Sequence, residues 1–289
     1  MNKLTFPVVS LILLTLLNAA CNTQTAKKTA EETIAETPGW NMGVALYSFN
    51  LFPFDVALSK ADSAGVKLVE GFSFHALKGV FKDSTMGQVS MYGVNKMKEM
   101  LDSRGIQMKS MYVSEAKDVN EWKGYFEKAK ILGIEFLVCE PDKAHWDIID
   151  SLGGIYNIKI AIHEHAKSSS IYWHPDSVLA AIKGHKNIGA CADLGHWARS
   201  GLDPAKCLNQ LKGHILGIHL KDINQFNNTE AEDVIVGKGT INFSSVIKEL
   251  KEQNFKGFIY MECEHKMSDN VADIIESIQY FNKLAEKPQ

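Results

Sequence analysis

From Trp40 onward, short and nearly continuous apolar runs alternate with longer stretches whose apolar residues recur at helical spacing. The short runs are MGVALYSF (42–49), VKLVEGF (66–72), IQMKSMYV (106–113), EFLVCE (135–140), IKIAIHEH (158–165), IGACAD (188–193), ILGIHLKD (215–222) and GFIYMECE (257–264). Between them lie segments such as VNEWKGYFEKAKILG (119–133) and INFSSVIKELKEQNFKG (241–257), amphipathic at helical period and closed by a glycine where the helix should stop. Buried runs separated by helix-sized segments predict parallel strands joined by crossover helices. Eight such units over about 250 residues predict a closed (β/α)8 barrel, a TIM barrel, spanning residues 40–289. An open, doubly wound sheet is the competing arrangement, but no G-x-G-x-x-G turn follows the first run.

The first 39 residues follow a different pattern. Lys3 precedes an almost unbroken apolar stretch, Leu4 to Leu17, and then Asn18-Ala19-Ala20-Cys21. This resembles a lipoprotein signal peptide (1–20), in which the cysteine is acylated and becomes the first mature residue; a strict signal would carry Leu where Asn18 stands. The apolar stretch is short for a membrane span. Residues 21–39 are polar, rich in Thr, Ala and Glu, and lack apolar periodicity, so they are expected to form a flexible tether. The only membrane contact expected is a lipid anchor on Cys21, with the protein outside the cytoplasm, in the periplasm or cell envelope.

The chain has 289 residues and a formal charge of −3, so composition supplies no basic surface for nucleic acid, and none is expected as a partner. Beyond Cys21 the chain has Cys139, Cys191, Cys207 and Cys263, three of which fall in the expected core strands. They read as small buried side chains rather than a disulfide framework or a zinc knuckle.

Polar residues collect at the C-terminal ends of the runs, where a barrel of this kind carries its site. Strand side chains alternate between faces, and the outer face needs aliphatic residues to pack on helices. In the 215–222 run Leu216, Ile218 and Leu220 are expected outward, leaving Gly217, His219 and Lys221 inward. The same rule turns Cys191 and Asp193 inward, groups Glu262 with Phe258 and Tyr260, and groups Glu140 with Phe136 and Val138. In the 158–165 run it turns His163 and His165 inward and Glu164 outward.

The expected metal ligands are Glu140, Asp193, His219 and Glu262, with His163, His165 and Lys221 beside them. Carboxylates and imidazole without thiolate suit one divalent ion such as Mn²⁺, Co²⁺, Mg²⁺ or Zn²⁺. His196, Trp197 and Arg199, just past the sixth run, are candidates for substrate contact. Trp146 and Trp173 are weaker candidates for stacking on a sugar. Gly237 and Gly239 are expected to shape a turn; their loop lacks the lysine and hydroxyl spacing of a phosphate cradle.

The segments CEP at Glu140, HEH at His163, CADLGHWARSG from Cys191, IHLKD at His219, GKGTINF from Gly237 and MECEH at Glu262 resemble the sugar phosphate isomerase/epimerase superfamily, the xylose-isomerase-like barrels. The resemblance implies one divalent ion held by two glutamates, an aspartate and a histidine, which fall here on Glu140 or Glu164, Asp193, His219 and Glu262. Where many members carry A-L-E-N-H this chain has A-I-H-E-H, so His163 stands in the place of a glutamate. The resemblance also implies removal of a proton beside a sugar carbonyl, leading to isomerisation, epimerisation or β-elimination, the last known among extracytoplasmic relatives that cleave 3-keto-glycosides. His163, His165 and Glu262 would then serve as acid or base, and Lys221 would stabilise an oxyanion. The expected partner is a small neutral sugar or keto-glycoside. The alternative from another class is a surface lipoprotein that binds saccharide without turnover.

Overall fold

The computed structural model describes residues 39–82, 84–167 and 169–286, together with Met1. The chain divides into Met1–Thr33 and Ile34–Gln289, and the barrel lies in the second unit. The expected signal peptide, Cys21 and nearly all of the tether lie outside the described residues. Among the described residues, no helix is long and apolar enough to cross a membrane.

Eight parallel strands close into the expected barrel: β1 (Asn41–Ala45), β2 (Leu68–Phe72), β3 (Gln107–Tyr112), β4 (Phe136–Cys139), β5 (Lys159–His163), β6 (Ile188–Asp193), β7 (Ile215–Leu220) and β10 (Phe258–Met261). They pair in the circular order β1, β10, β7, β6, β5, β4, β3, β2. Two further short strands, β8 (Asp222–Ile223) and β9 (Asp233–Val234), form an antiparallel ribbon outside the barrel. The run ending in Asp222 is therefore not one strand: β7 stops at Leu220, and Asp222 begins the ribbon. The first run is also divided, β1 ending at Ala45 and a 3-10 turn at Leu46–Phe49 carrying Tyr47 to the barrel mouth.

Helices α1 (Phe54–Ser63), α2 (Met91–Ser103), α3 (Val119–Leu132), α4 (Trp146–Tyr156), α5 (Pro175–Ile182), α6 (Leu194–Arg199), α7 (Pro204–Gln210), α8 (Phe243–Glu252) and α9 (Val271–Ala285) connect the strands. The Asp118 side chain caps α3 by accepting from the amides of Asn120 and Glu121, and Gly133 ends it in the left-handed region at φ 76°. Helix α8 buries Phe243, Val246, Ile247 and Leu250 on a single face. Burial of each is worth roughly 1.5–3 kcal/mol. Its end differs from the sequence reading: Asn254, at φ 50°, turns the chain, so Gly257 is not the stop.

Aromatic rings fill the lower barrel. Phe136 lies 5.6 Å from Phe258, and Phe258 stacks on Tyr260. A Cβ at Gly217 would sit 3.1 Å from the Phe136 ring, which is why β7 carries glycine opposite this large residue. Two register shifts break the regular pairing, between Val69 and Glu70 and between Ala190 and Cys191. Both lie just before inward polar residues, where a local irregularity re-aims side chains.

Candidate metal centre and active site

At the C-terminal end of the barrel three donor atoms, from His163, Asp193 and His219, lie within 4.8 Å of one another, and Glu262 joins them through His219. The Nδ1 of His219 lies 2.8 Å from Glu262 Oε2, 3.1 Å from His163 Nε2 and 3.5 Å from Asp193 Oδ2. His163 Nε2 is in turn 3.5 Å from Asp193 Oδ2. Donors at ordinary zinc distances in a tetrahedral site lie about 3.3–3.5 Å from one another. Asp193 Oδ2 and Glu262 Oε2 are buried without a hydrogen-bond partner, an expensive arrangement unless a cation satisfies them. The residues present therefore fit a divalent ion.

Glu140 stands apart from these contacts and forms a second set of ligand atoms with His163 and His165. Its Oε1 faces the other ring nitrogen of His163, Nδ1, at 3.4 Å, also meets His165 Nδ1, and accepts a 2.9 Å hydrogen bond from the Tyr112 hydroxyl. The reason is reach: β4 ends at Cys139, and Glu140 projects behind the His163 ring instead of past it. The set around His219 offers two imidazoles, His163 and His219, and the carboxylates of Asp193 and Glu262. Glu164 is fully buried, its oxygens lack hydrogen bonds, and burial raises its carboxyl well above the usual range. Asp193 and Glu140 add to that rise, and burial and then the Glu164 carboxyl push the Cys207 thiol of α7 up to about 12.

Glu70 on β2, absent from the sequence-based candidates, completes the support. It is fully buried, with Oε1 2.6 Å from His219 Nε2 and Oε2 accepting from Ser110 Oγ at 2.6 Å. A carboxylate on the second nitrogen fixes the imidazole tautomer and ring plane and raises its basicity as a ligand. The signal was present in V-K-L-V-E-G-F: a lone charge inside a buried strand requires a partner. That partner, His219, is 149 residues away.

Lys221, 2 % exposed, is the cation among these carboxylates, its Nζ 2.6 Å from Glu264 Oε1, 3.2 Å from Glu262 Oε1 and 3.5 Å from Asp193 Oδ2. Burial opposes its charge, but Asp193, Glu262 and Glu264 overcome that and hold the ammonium well above its usual pKa. Burial likewise opposes the anion at Glu262, where Lys221 and His219 prevail and keep the carboxyl ionised. Asp193 Oδ1 accepts from the His196 amide at 2.8 Å, which fixes that carboxylate as the cap of α6.

Above these groups opens a cavity of about 350 Å³, walled by Tyr47, Phe72, Phe74 and Tyr112 on one side and by His165, His196 and Glu264 on the other. Phe72 stacks on Tyr112 with ring centres 5.7 Å apart. This wall replaces the expected tryptophans. Trp197 is fully buried inside the domain, and Trp146 donates to the Tyr172 hydroxyl at 2.7 Å, so neither lines the cavity. Nor does Trp173. His196 does line it. Arg199 borders a neighbouring cleft, with Nε donating to the Ala231 carbonyl and Nη2 paired with Asp233. A larger cavity at the opposite end of the barrel, about 770 Å³, is lined by Lys67, Lys109, Lys256 and Glu135 and gathers no set of ligand atoms.

The GKGTINF loop is held by Asp222, whose Oδ2 accepts from the Gly237 and Gly239 amides and Oδ1 from those of Ile223 and Ile241. Gly237 sits at φ 90°, and a Cβ on Gly239 would fall 2.3 Å from Asp222 Oδ1. The pairing of IHLKD with GKGTIN is thus a structural clamp beside the site.

A closed parallel barrel with carboxylates and histidines from several strand ends on one potential ion defines a metal-site TIM barrel. Residues 58–284 match the xylose isomerase-like TIM barrel family, and the chain belongs to it. It is similar to an inosose dehydratase of Clostridium beijerinckii, 24% identical over 238 residues covering 65% of this chain and 79% of that protein. It is also similar to an uncharacterized protein of Methanocaldococcus jannaschii, 28% identical over 134 residues, 45% of this chain; the match spans only 44% of that relative's length. Among solved structures, an uncharacterized protein of Parabacteroides distasonis superposes with TM-score 0.68 at 29% identity, covering 85% of this chain and 99% of that one. The IOLI protein, solved with a bound zinc atom, shares the fold with TM-score 0.66 at 17% identity, covering 85% of this chain and 95% of that one.

Proposed function

We propose that the protein is a divalent-metal-dependent carbohydrate enzyme that removes the proton beside a sugar carbonyl. The observation that carries this reading is the cluster of His163, Asp193 and His219 donor atoms with Glu262 against His219, two of the four residues carrying orphaned buried oxygens, beneath a cavity with an aromatic wall. These four residues would hold Mn²⁺, Co²⁺, Mg²⁺ or Zn²⁺. When bound, the ion supplies Lewis acidity to the carbonyl and its neighbouring hydroxyl.

The chain's own residues supply the rest. Glu262, ionised and lining the cavity, is the proton acceptor, and Lys221, 3.2 Å from its Oε1, offsets charge developing on the substrate oxygen. His165, oriented through Nδ1 by Glu140, faces the same cavity and can return a proton or protonate a departing group. Return of the proton gives isomerisation or epimerisation; loss of a β-substituent gives elimination. Elimination is the outcome we favour. It uses one base and one separate acid, as arranged here, and loss of water is the reaction named in the inosose dehydratase relatives. On its leader sequence the enzyme would act outside the cytoplasm, tethered through lipid on Cys21, on a neutral sugar or keto-glycoside.

The test is incubation of the metal-loaded full chain with a 3-keto-glucoside, an inosose and fructose in D₂O, followed by NMR. Deuterium entering beside the carbonyl, abolished by Glu262→Gln, supports enolisation, and release of aglycone or water selects elimination. Absence of exchange in all three substrates, with metal bound, defeats the proposal.

A further inference from the structure

A second cavity, also about 350 Å³, adjoins the first, and His196 and Glu264 line both. It is built where the loop after β5, helix α6 and the turn of the β8–β9 ribbon meet, and Ser169, Arg199, Thr229 and Glu230 complete its lining. Its volume lies near the lower end of the range of about 300–1,000 Å³ for small-ligand sites. Resting on the enolisation reading above, we propose that this cleft is a subsite for a second, neutral sugar unit, so that the substrate is a two-ring saccharide whose inter-ring bond lies between His196 and Glu264.

The chemistry of the cleft selects that occupant. Its one guanidinium is committed, Arg199 Nε to the Ala231 carbonyl at 3.0 Å and Nη2 to Asp233, so no free cation is offered to a phosphate or carboxylate. Two carboxylates, Glu230 and Glu264, the Thr229 hydroxyl and the Ser169 hydroxyl, which itself donates to the Ala166 carbonyl, present mainly acceptors suited to sugar hydroxyls and repel anions. The remaining lining is alanine, with no aromatic face to favour a flat apolar group. Both shared residues suit a junction. His196 lines both cavities with its Nδ1 buried, and Glu264 reaches the Lys221 ammonium with one oxygen. A ligand spanning the cavities meets polar groups from both at this point.

The experiment measures binding of glucose, galactose, cellobiose, maltose and lactose to the full metal-loaded chain by calorimetry, for wild type, Thr229→Trp and Ser169→Phe. The substitutions fill the cleft from two different loops, so one remains informative if the other fails to fold, which thermal melts will show. At least one disaccharide should bind tenfold or more tighter than its monosaccharides in wild type, with that preference lost in the variants and monosaccharide binding unchanged. Equal binding of mono- and disaccharides, or a preference that survives both substitutions, overturns the subsite. Deuterium exchange on fructose or an inosose, which occupy only the first cavity, separates that failure from failure of the enolisation reading.

Discussion

Glu70 Oε1 lies 2.6 Å from His219 Nε2, joining β2 to β7 across the barrel interior beneath the cluster of His163, Asp193 and His219 donor atoms. His219 is thereby clamped from both sides, by Glu70 at Nε2 and by the donor cluster at Nδ1. Outer carboxylates of this kind typically contribute 10- to 100-fold in metal affinity. Glu70→Gln should weaken zinc binding by about that factor, measured by competition with a chromogenic chelator, while circular dichroism stays unchanged. Wild-type affinity in this variant would show that the pair does not tune the site.

The division between His163 and Glu140 is separable by substitution. His163→Ala removes a donor atom and should leave the protein largely without metal after dialysis. Glu140→Gln should retain stoichiometric metal and lose about tenfold or more in turnover, because it frees the rings of His163 and His165. Metal analysis with the reverse pattern would return Glu140 to the ligand set.

Glu164 is a buried carboxyl without hydrogen bonds to its oxygens. Replacing such a group with an apolar residue of similar volume is commonly neutral or stabilising. Glu164→Leu should therefore keep metal content unchanged and shift the melting temperature upward or not at all. A marked loss of metal would place Glu164 among the ligands.

His75 follows the cavity-wall residue Phe74, and its Nε2 hydrogen-bonds the Phe52 carbonyl at 2.9 Å. Burial pushes its pKa below the ordinary 6.5, with the carbonyl partly opposing. The folded state thus favours the neutral ring, so the unfolded chain binds the extra proton first as pH falls. This contribution to stability is fully present above pH 6.5 and is lost progressively below it. Urea midpoints at pH 7.5 and 5.5 should converge more closely in His75→Gln than in wild type; equal pH dependence would exclude the residue as a source.

Asp222 accepts from four backbone amides. Asp222→Ala orphans them in a partly buried loop and should cost about 3 kcal/mol, read from denaturant unfolding. A cost under about 1 kcal/mol would mean that the loop holds its shape without the clamp.

The barrel was legible in the chain because each unit carries its own signal. A buried parallel strand must be continuously apolar, and a crossover helix must be amphipathic, so VNEWKGYFEKAKILG and the runs beside it specify their states locally. The period of two in HEH is a backbone property, and His163 and His165 line the cavity whereas Glu164 does not. What alternation could not supply was reach. Glu140 and His163 share the inward side, and only the assembled strand ends put the imidazole among the donors with the carboxylate behind it. Trp197 looked available in GHWARSG because a six-residue helix carries too little periodicity to show which side is buried. Glu70 lay hidden because its meaning is a contact with a residue on another strand, and the sequence records a buried charge without recording its partner. Local pattern thus determined the elements and the facing of their side chains; the distances that make a site depended on closure of the sheet, which brings residues from β2, β5, β6, β7 and β10 to one place.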